Sequence, residues 1–103
     1  MIKYHLITCI VERGKLSKVI DAAIKAGAQA ATFFYARGRG VRERLGKLGA
    51  FIHPEKEVAF IVTKAEQTDA VFNTIVSVAE LHIPGKGFAY VQPVEKAVGF
   101  LDE

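Results

Sequence analysis

Residues 29–63 read QAATFFYAR, then GRGVRERLGKLGAFIHP, then EKEVAFIVT, and the way this stretch divides decides the fold. The opening part, Gln29 to Arg37, carries Thr32 and the consecutive aromatics Phe33, Phe34 and Tyr35, a composition that favours a strand. The closing part, Glu55 to Thr63, starts charged, ends apolar and reads as another strand. Between them, Gly38 to Pro54 shows no sustained hydrophobic period and includes Gly40, Gly46 and Gly49. A connection of this length is uncommon in a compact domain and usually has a function. It is also where the charge lies. Arg37, Arg39, Arg42, Arg44 and Lys47 stand against Glu43 alone, a local +4 in a chain of formal net charge +3, so everything outside residues 37–47 sums to −1.

On the N-terminal side, Ile2 to Val11 is rich in β-branched residues with apolar side chains on both parities, the pattern of a central strand. Leu16, Val19, Ile20, Ala23 and Ile24 then follow helical spacing and stop at Gly27, a residue suited to a left-handed helix end. On the C-terminal side, Ala65 to Leu81 places Val71, Phe72, Ile75, Val78 and Ala79 on one helical face, with Glu66 and Asp69 near the start, where they complement the helix dipole. The turn-rich run His82 to Gly87 leads into a last strand, Phe88 to Val94, and a tail containing Val98, Phe100 and Leu101. Two βαβ halves joined by a long loop predict an α+β, ferredoxin-like βαββαβ sandwich: four antiparallel strands with both helices on one face. Its other face is expected to carry Tyr4, Phe33, Phe34 and Tyr35 and to need a partner, most simply another copy of the chain.

The chain has 103 residues, half of them hydrophobic, and is read as a single domain over 1–103. No apolar run approaches the roughly 20 residues that span a bilayer, and the N-terminus lacks a charged-then-apolar leader pattern, so a cytoplasmic location is expected. Cys9, the single cysteine, sits in an apolar run and reads as a small buried hydrophobe.

No catalytic set emerges, and the protein is not expected to be an enzyme. His5, His53 and His82 fall on a strand, a loop and a turn without metal-ligand spacing, so no metal is expected. Glu55, Lys56 and Glu57 read as a charged start to a strand more readily than as a general base site. Phosphate binding has better support. Arg37-Gly38-Arg39-Gly40 leaves the second strand and Pro84-Gly85-Lys86-Gly87 enters the fourth, so two glycine-rich corners each carry basic side chains. Such corners can turn backbone N–H groups onto an anion, with Arg or Lys adding charge. The alternative is a nucleic-acid-binding module in which the Arg-rich loop tracks phosphates and Phe88 and Tyr90 stack on bases. Against it, the RNA-recognition signature is missing and the rest of the chain is slightly acidic.

From about His5 to Phe100 the chain resembles the nitrogen-regulatory PII signalling proteins, and within them a PII-like subgroup. The residues that carry the resemblance are Thr32, Gly38 and Gly40 around the end of the second strand and the Gly85–Gly87 loop before the last one. Pro54-Glu55-Lys56-Glu57 and Phe88-Ala89-Tyr90-Val91-Gln92-Pro93-Val94 match the subgroup. The resemblance implies a homotrimer with inward-facing sheets and an adenine nucleotide (ATP, ADP or AMP) in the clefts between subunits. It places Thr32 near base and ribose, Gly38 and Gly40 at the loop root, and Gly85, Lys86 and Gly87 at the phosphates. Arg42 is the loop's candidate ligand contact. Residues 38–54 would be the effector arm, with Arg39, Arg42, Arg44 and Lys47 meeting a regulated partner, in this family often a membrane transporter or a metabolic enzyme. Where better-known members carry basic phosphate ligands, this sequence has Phe88, Gly99 and Leu101, and its loop holds no tyrosine to be uridylylated.

Overall fold

The computed structural model describes residues 1–38 and 55–99. The elements run β1 (Tyr4–Glu12), α1 (Leu16–Lys25), β2 (Ala30–Arg37), β3 (Glu55–Lys64), a 3-10 turn (Ala65–Gln67), α2 (Thr68–Val78) and β4 (Gly87–Val94). The strands form one antiparallel sheet in the order β2-β3-β1-β4, the ferredoxin-like arrangement expected from the sequence. β1 is central, between β3 and β4. β4 is an edge strand, which is why Pro93 is tolerated within it: a residue with no N–H costs no ladder bond on an edge.

Strand alternation sorts the two faces. Ile7, Cys9 and Val11 of β1 and Ala59 and Ile61 of β3 meet the helices, with Leu16, Val19, Ile20 and Ala23 of α1 and Val71 and Ile75 of α2 closing the core. Ile24 falls outside it, 54% exposed, because the stripe on α1 drifts off the buried face at its far end. Burial drives the Cys9 thiol up to about 11, so it stays protonated and unreactive at neutral pH.

Both helices end alike. Gly27 N–H donates to Ile24 O and Ala28 N–H to Ala23 O, the paired bonds of a Schellman motif, with Gly27 at φ +120°. After α2, Glu80 N–H bonds Ser77 O and Leu81 N–H bonds Val76 O, and here Glu80 occupies the left-handed position at φ +56°. The second helical segment therefore differs from the Ala65–Leu81 expected: it opens as a 3-10 turn and ends at Val78.

The charged run does open β3, at Glu55, and one of its carboxylates has a structural task. Glu57 is 7% exposed, and its Oε1 accepts the N–H of Gly14 at 2.7 Å and of Leu16 at 3.1 Å. Lys15, at the head of α1, makes no side-chain cap, so a carboxylate from a distant strand satisfies the amides that the helix start leaves open. Glu57→Ala orphans both donors and is expected to cost about 2–3 kcal/mol in a urea unfolding titration. Glu57→Gln, which keeps an acceptor oxygen, should recover part of that loss. Equal stability of the alanine variant and the parent would refute the capping role.

The aromatics of β2 do differ from the expectation that all three share the open face. Phe34 pairs with Val58 and lies on the face away from the helices, but Phe33 and Tyr35 pair with Ala59 and Glu57 and so belong to the helix side. Consecutive strand residues cannot share a face. Phe33 and Tyr35 are nevertheless 58% and 65% exposed, since β2 is an edge strand that the helices do not reach across to cover.

The middle of the open face is uncharged and largely apolar. Across the four strands its central rows read Ala30, Val62, Leu6, Gln92, then Thr32, Phe60, Thr8, Tyr90, then Phe34, Val58, Ile10, Phe88. Phe34 and Phe60 meet at 5.6 Å between ring centroids, and Phe88 and Tyr90 stack at 6.0 Å. None of these twelve positions is charged.

Candidate functional site at the glycine end of the sheet

The pairing register brings one end of every strand together. Arg37 closes β2 opposite Glu55, which opens β3; Glu12 closes β1 opposite Lys56, and Gly87 opens β4 opposite Val11. Both glycine-rich corners therefore lie at the same end of the sheet. They lie at opposite edges, however, because β3 and β1 separate β2 from β4. Three strand spacings of roughly 4.8 Å put the two corners about 14 Å apart within one chain.

Each corner has its own local cause. Gly87 is at φ +140° and packs directly on β1, with Val11 Cα 3.1 Å from where its Cβ would be. Gly85 is also left-handed, at φ +90°. Lys86 donates its N–H to Ile83 O at 3.2 Å and holds its Nζ 3.9 Å from Glu80 Oε1, so its backbone donor and its charge are both engaged. At the other corner, among the described residues, a Cβ on Gly38 would meet only Lys56 Cγ, at an ordinary 3.9 Å. Thr32 lies in mid-strand on the open face, beside Phe60, and about 17 Å along the strand from Arg37. Among the expected ligand positions, the single chain thus groups Gly85, Lys86 and Gly87 but keeps them apart from Gly38 and Thr32. Gly40, Arg42, Arg39, Arg44 and Lys47 lie outside the described residues.

A further cluster occupies the same end, at the β2 side, and lies outside the expected positions. Arg37 Nη1 donates to Glu55 Oε2 at 3.2 Å on an exposed surface. Arg13 N–H donates to Glu55 O at 3.2 Å, which ties the β1–α1 turn to the start of β3. From there the Arg13 side chain reaches over the Tyr35 ring, its guanidinium carbon 4.5 Å from the centroid. Glu12, Arg13, Arg37 and Glu55 line an open depression between these groups. In the sequence, Arg13 is one charge in a short turn. Only the register that brings Tyr35 near it gives it a fixed place.

Among the described residues, no group of three or more His, Cys, Asp or Glu side chains is gathered closely enough to hold a metal ion. His5 instead serves the fold. Thr68 Oγ1 donates to Lys64 O at 3.1 Å and lies 2.7 Å from His5 Nδ1 and 2.8 Å from Thr63 Oγ1, a small network that fixes the start of α2. No described helix is long and apolar enough to cross a membrane.

Comparison with known proteins agrees with this architecture. The family model for nitrogen regulatory protein P-II matches residues 4–101. Among solved structures, the PII protein of Arabidopsis thaliana, crystallised with citrate bound, superposes with a TM-score of 0.67 at 28% identity, covering 89% of this chain and 78% of that one. A search of curated proteins returns no match. Since the family match runs through both βαβ halves and the solved relative shares their topology, the chain belongs to the nitrogen regulatory protein P-II family of signalling regulators.

Proposed function

We propose that the protein is a cytoplasmic, non-enzymatic P-II-type signal transducer that assembles as a homotrimer and binds an adenine nucleotide between subunits. The loop 38–54 would report the bound state to a regulated partner, a membrane transporter or a metabolic enzyme. One observation carries the reading: the two glycine corners share an end of the sheet but sit at opposite edges. A single chain cannot close both on one phosphate chain, whereas the β2 edge of one copy beside the β4 edge of another can. The uncharged centre of the open face gives the copies a reason to associate, since its exposed aromatics gain by burial.

Calorimetric titration of ATP, ADP and AMP into the sized protein tests this. Citrate belongs in the same panel because the Arabidopsis relative was crystallised with it. Saturable binding near one nucleotide per chain, on a particle of three chains, is the expected result. A folded trimer that binds none of the nucleotides would overturn the nucleotide assignment, and a monomer at working concentration would overturn the assembly. The open face speaks against the nucleic-acid alternative: Phe88 and Tyr90 form a ring pair, but the three central rows around them hold no Arg or Lys, and the lysines of this face, Lys56 and Lys64, stand in the rows at its two ends.

A further inference from the structure

We infer that Arg13 is a phosphate ligand of the intersubunit site, a guanidinium fixed in advance by Tyr35 at the β2 edge of the cleft. The inference rests on the nucleotide reading above and adds to it a residue outside both glycine corners.

The basic groups at this end of the sheet differ in what already holds them. Arg37 is committed to Glu55 at 3.2 Å, and Lys86 lies 3.9 Å from Glu80. Arg13 meets no carboxylate within ion-pair distance among the described residues. Its guanidinium is held instead by the face of an aromatic ring. An aromatic ring fixes a guanidinium without neutralising its charge, and the planar fork of N–H donors suits bidentate capture of a phosphate oxygen pair.

Placement supports the same role. Through its backbone bond to Glu55, Arg13 crosses the sheet end toward β2, on the side where Arg37 leads into Gly38. Of the two acids that line the depression with Arg13, Glu12 falls in the row of Ala36 and Lys56 on the opposite face, and Glu55, on the Tyr35 side, has its carboxylate paired with Arg37 at 3.2 Å. An anion reaching Arg13 from the Tyr35 side therefore meets one carboxylate, already paired with a guanidinium. Holding the side chain in place beforehand also lowers the ordering cost of binding.

The test titrates ATP, ADP, AMP and adenosine into the parent protein and into Arg13→Ala, Arg13→Lys and Tyr35→Leu, with thermal melts as a control for folding. Arg13→Ala is expected to weaken ATP by about 10-fold to 100-fold, the range of one charge-assisted hydrogen-bonding group. The loss should shrink from ATP to ADP to AMP and vanish for adenosine. Lysine should restore part of it, and Tyr35→Leu should cost several-fold through lost positioning. If the parent binds ATP and Arg13→Ala binds it equally well, the role of Arg13 falls and the nucleotide reading stands. The role falls likewise if ATP and adenosine weaken alike, since that pattern marks a structural effect. If the parent binds no nucleotide, the functional reading fails and this inference fails with it.

Discussion

Gly87→Ala is expected to destabilise the protein by about 3 kcal/mol or more, a drop of roughly 15 °C in thermal midpoint for a chain of this size. Two effects combine. Gly87 holds φ at +140°, a region that residues with a Cβ adopt only with strain. Its added methyl would also overlap the carbonyl oxygen of Ile10, with Val11 Cα at 3.1 Å and Ile10 C at 3.2 Å. Those are backbone atoms of the central strand, so no side-chain rotation relieves the clash. Moving β1 would strain its ladders with both β3 and β4. Gly38→Ala is the matched control: among the described residues its new methyl meets only Lys56 Cγ, at 3.9 Å, and it should leave the midpoint within a degree or two. Thermal unfolding by circular dichroism distinguishes the two, and equal tolerance at both positions would refute the close packing of Gly87 on β1. The comparison also separates two meanings of a glycine-rich corner. Gly87 is required by the fold whatever it binds, whereas a defect in Gly38→Ala that appears only in ligand titration would belong to the site.

The same contrast explains what can be read from the sequence. Helical spacing in Leu16–Ala23 and Val71–Ala79, with strand-like runs on either side, is enough for element order and for the ferredoxin-like topology, because burial of those stripes decides the fold. Face assignment within β2 is legible only in part. Three consecutive aromatics satisfy any strand pattern, and alternation then sends Phe34 to the open face and Phe33 and Tyr35 to the helix side. Glu57 is hidden by its neighbours: in Glu55-Lys56-Glu57 nothing local marks which carboxylate will lie against the start of a helix 41 residues earlier in the chain. Arg13 is hidden for the same reason, since its partner Tyr35 is fixed through β3 and not through sequence proximity. The glycines are visible as corners. That they lie at one end but at opposite edges depends on strand order, which no single segment encodes.

Phe60→Asp is expected to abolish self-association while leaving the chain folded. Phe60 stands between Thr32 and Thr8 in the middle row of the open face, packs on Phe34 at 5.6 Å and is 40% exposed in the single chain. In the isolated protomer an aspartate there keeps contact with water, so the loss is limited to part of one ring contact, about 1–2 kcal/mol. In an assembly that buries this face, the same carboxylate would enter an apolar interface without a basic partner, because none of the twelve central positions is charged. Burying an unpaired charge costs several kcal/mol, and a symmetric assembly of three copies incurs that cost three times. Sedimentation velocity should therefore move from a three-chain particle to a one-chain particle, with far-ultraviolet dichroism preserved. Phe60→Leu, apolar and smaller, should remain assembled with a modest loss of stability. An assembled Phe60→Asp protein would mean that this face is not the contact. If the variant is instead monomeric and folded, ATP titration links assembly to function: a cleft built from the β2 edge of one copy and the β4 edge of the next should be lost with the trimer, although every candidate ligand residue of the chain is still present.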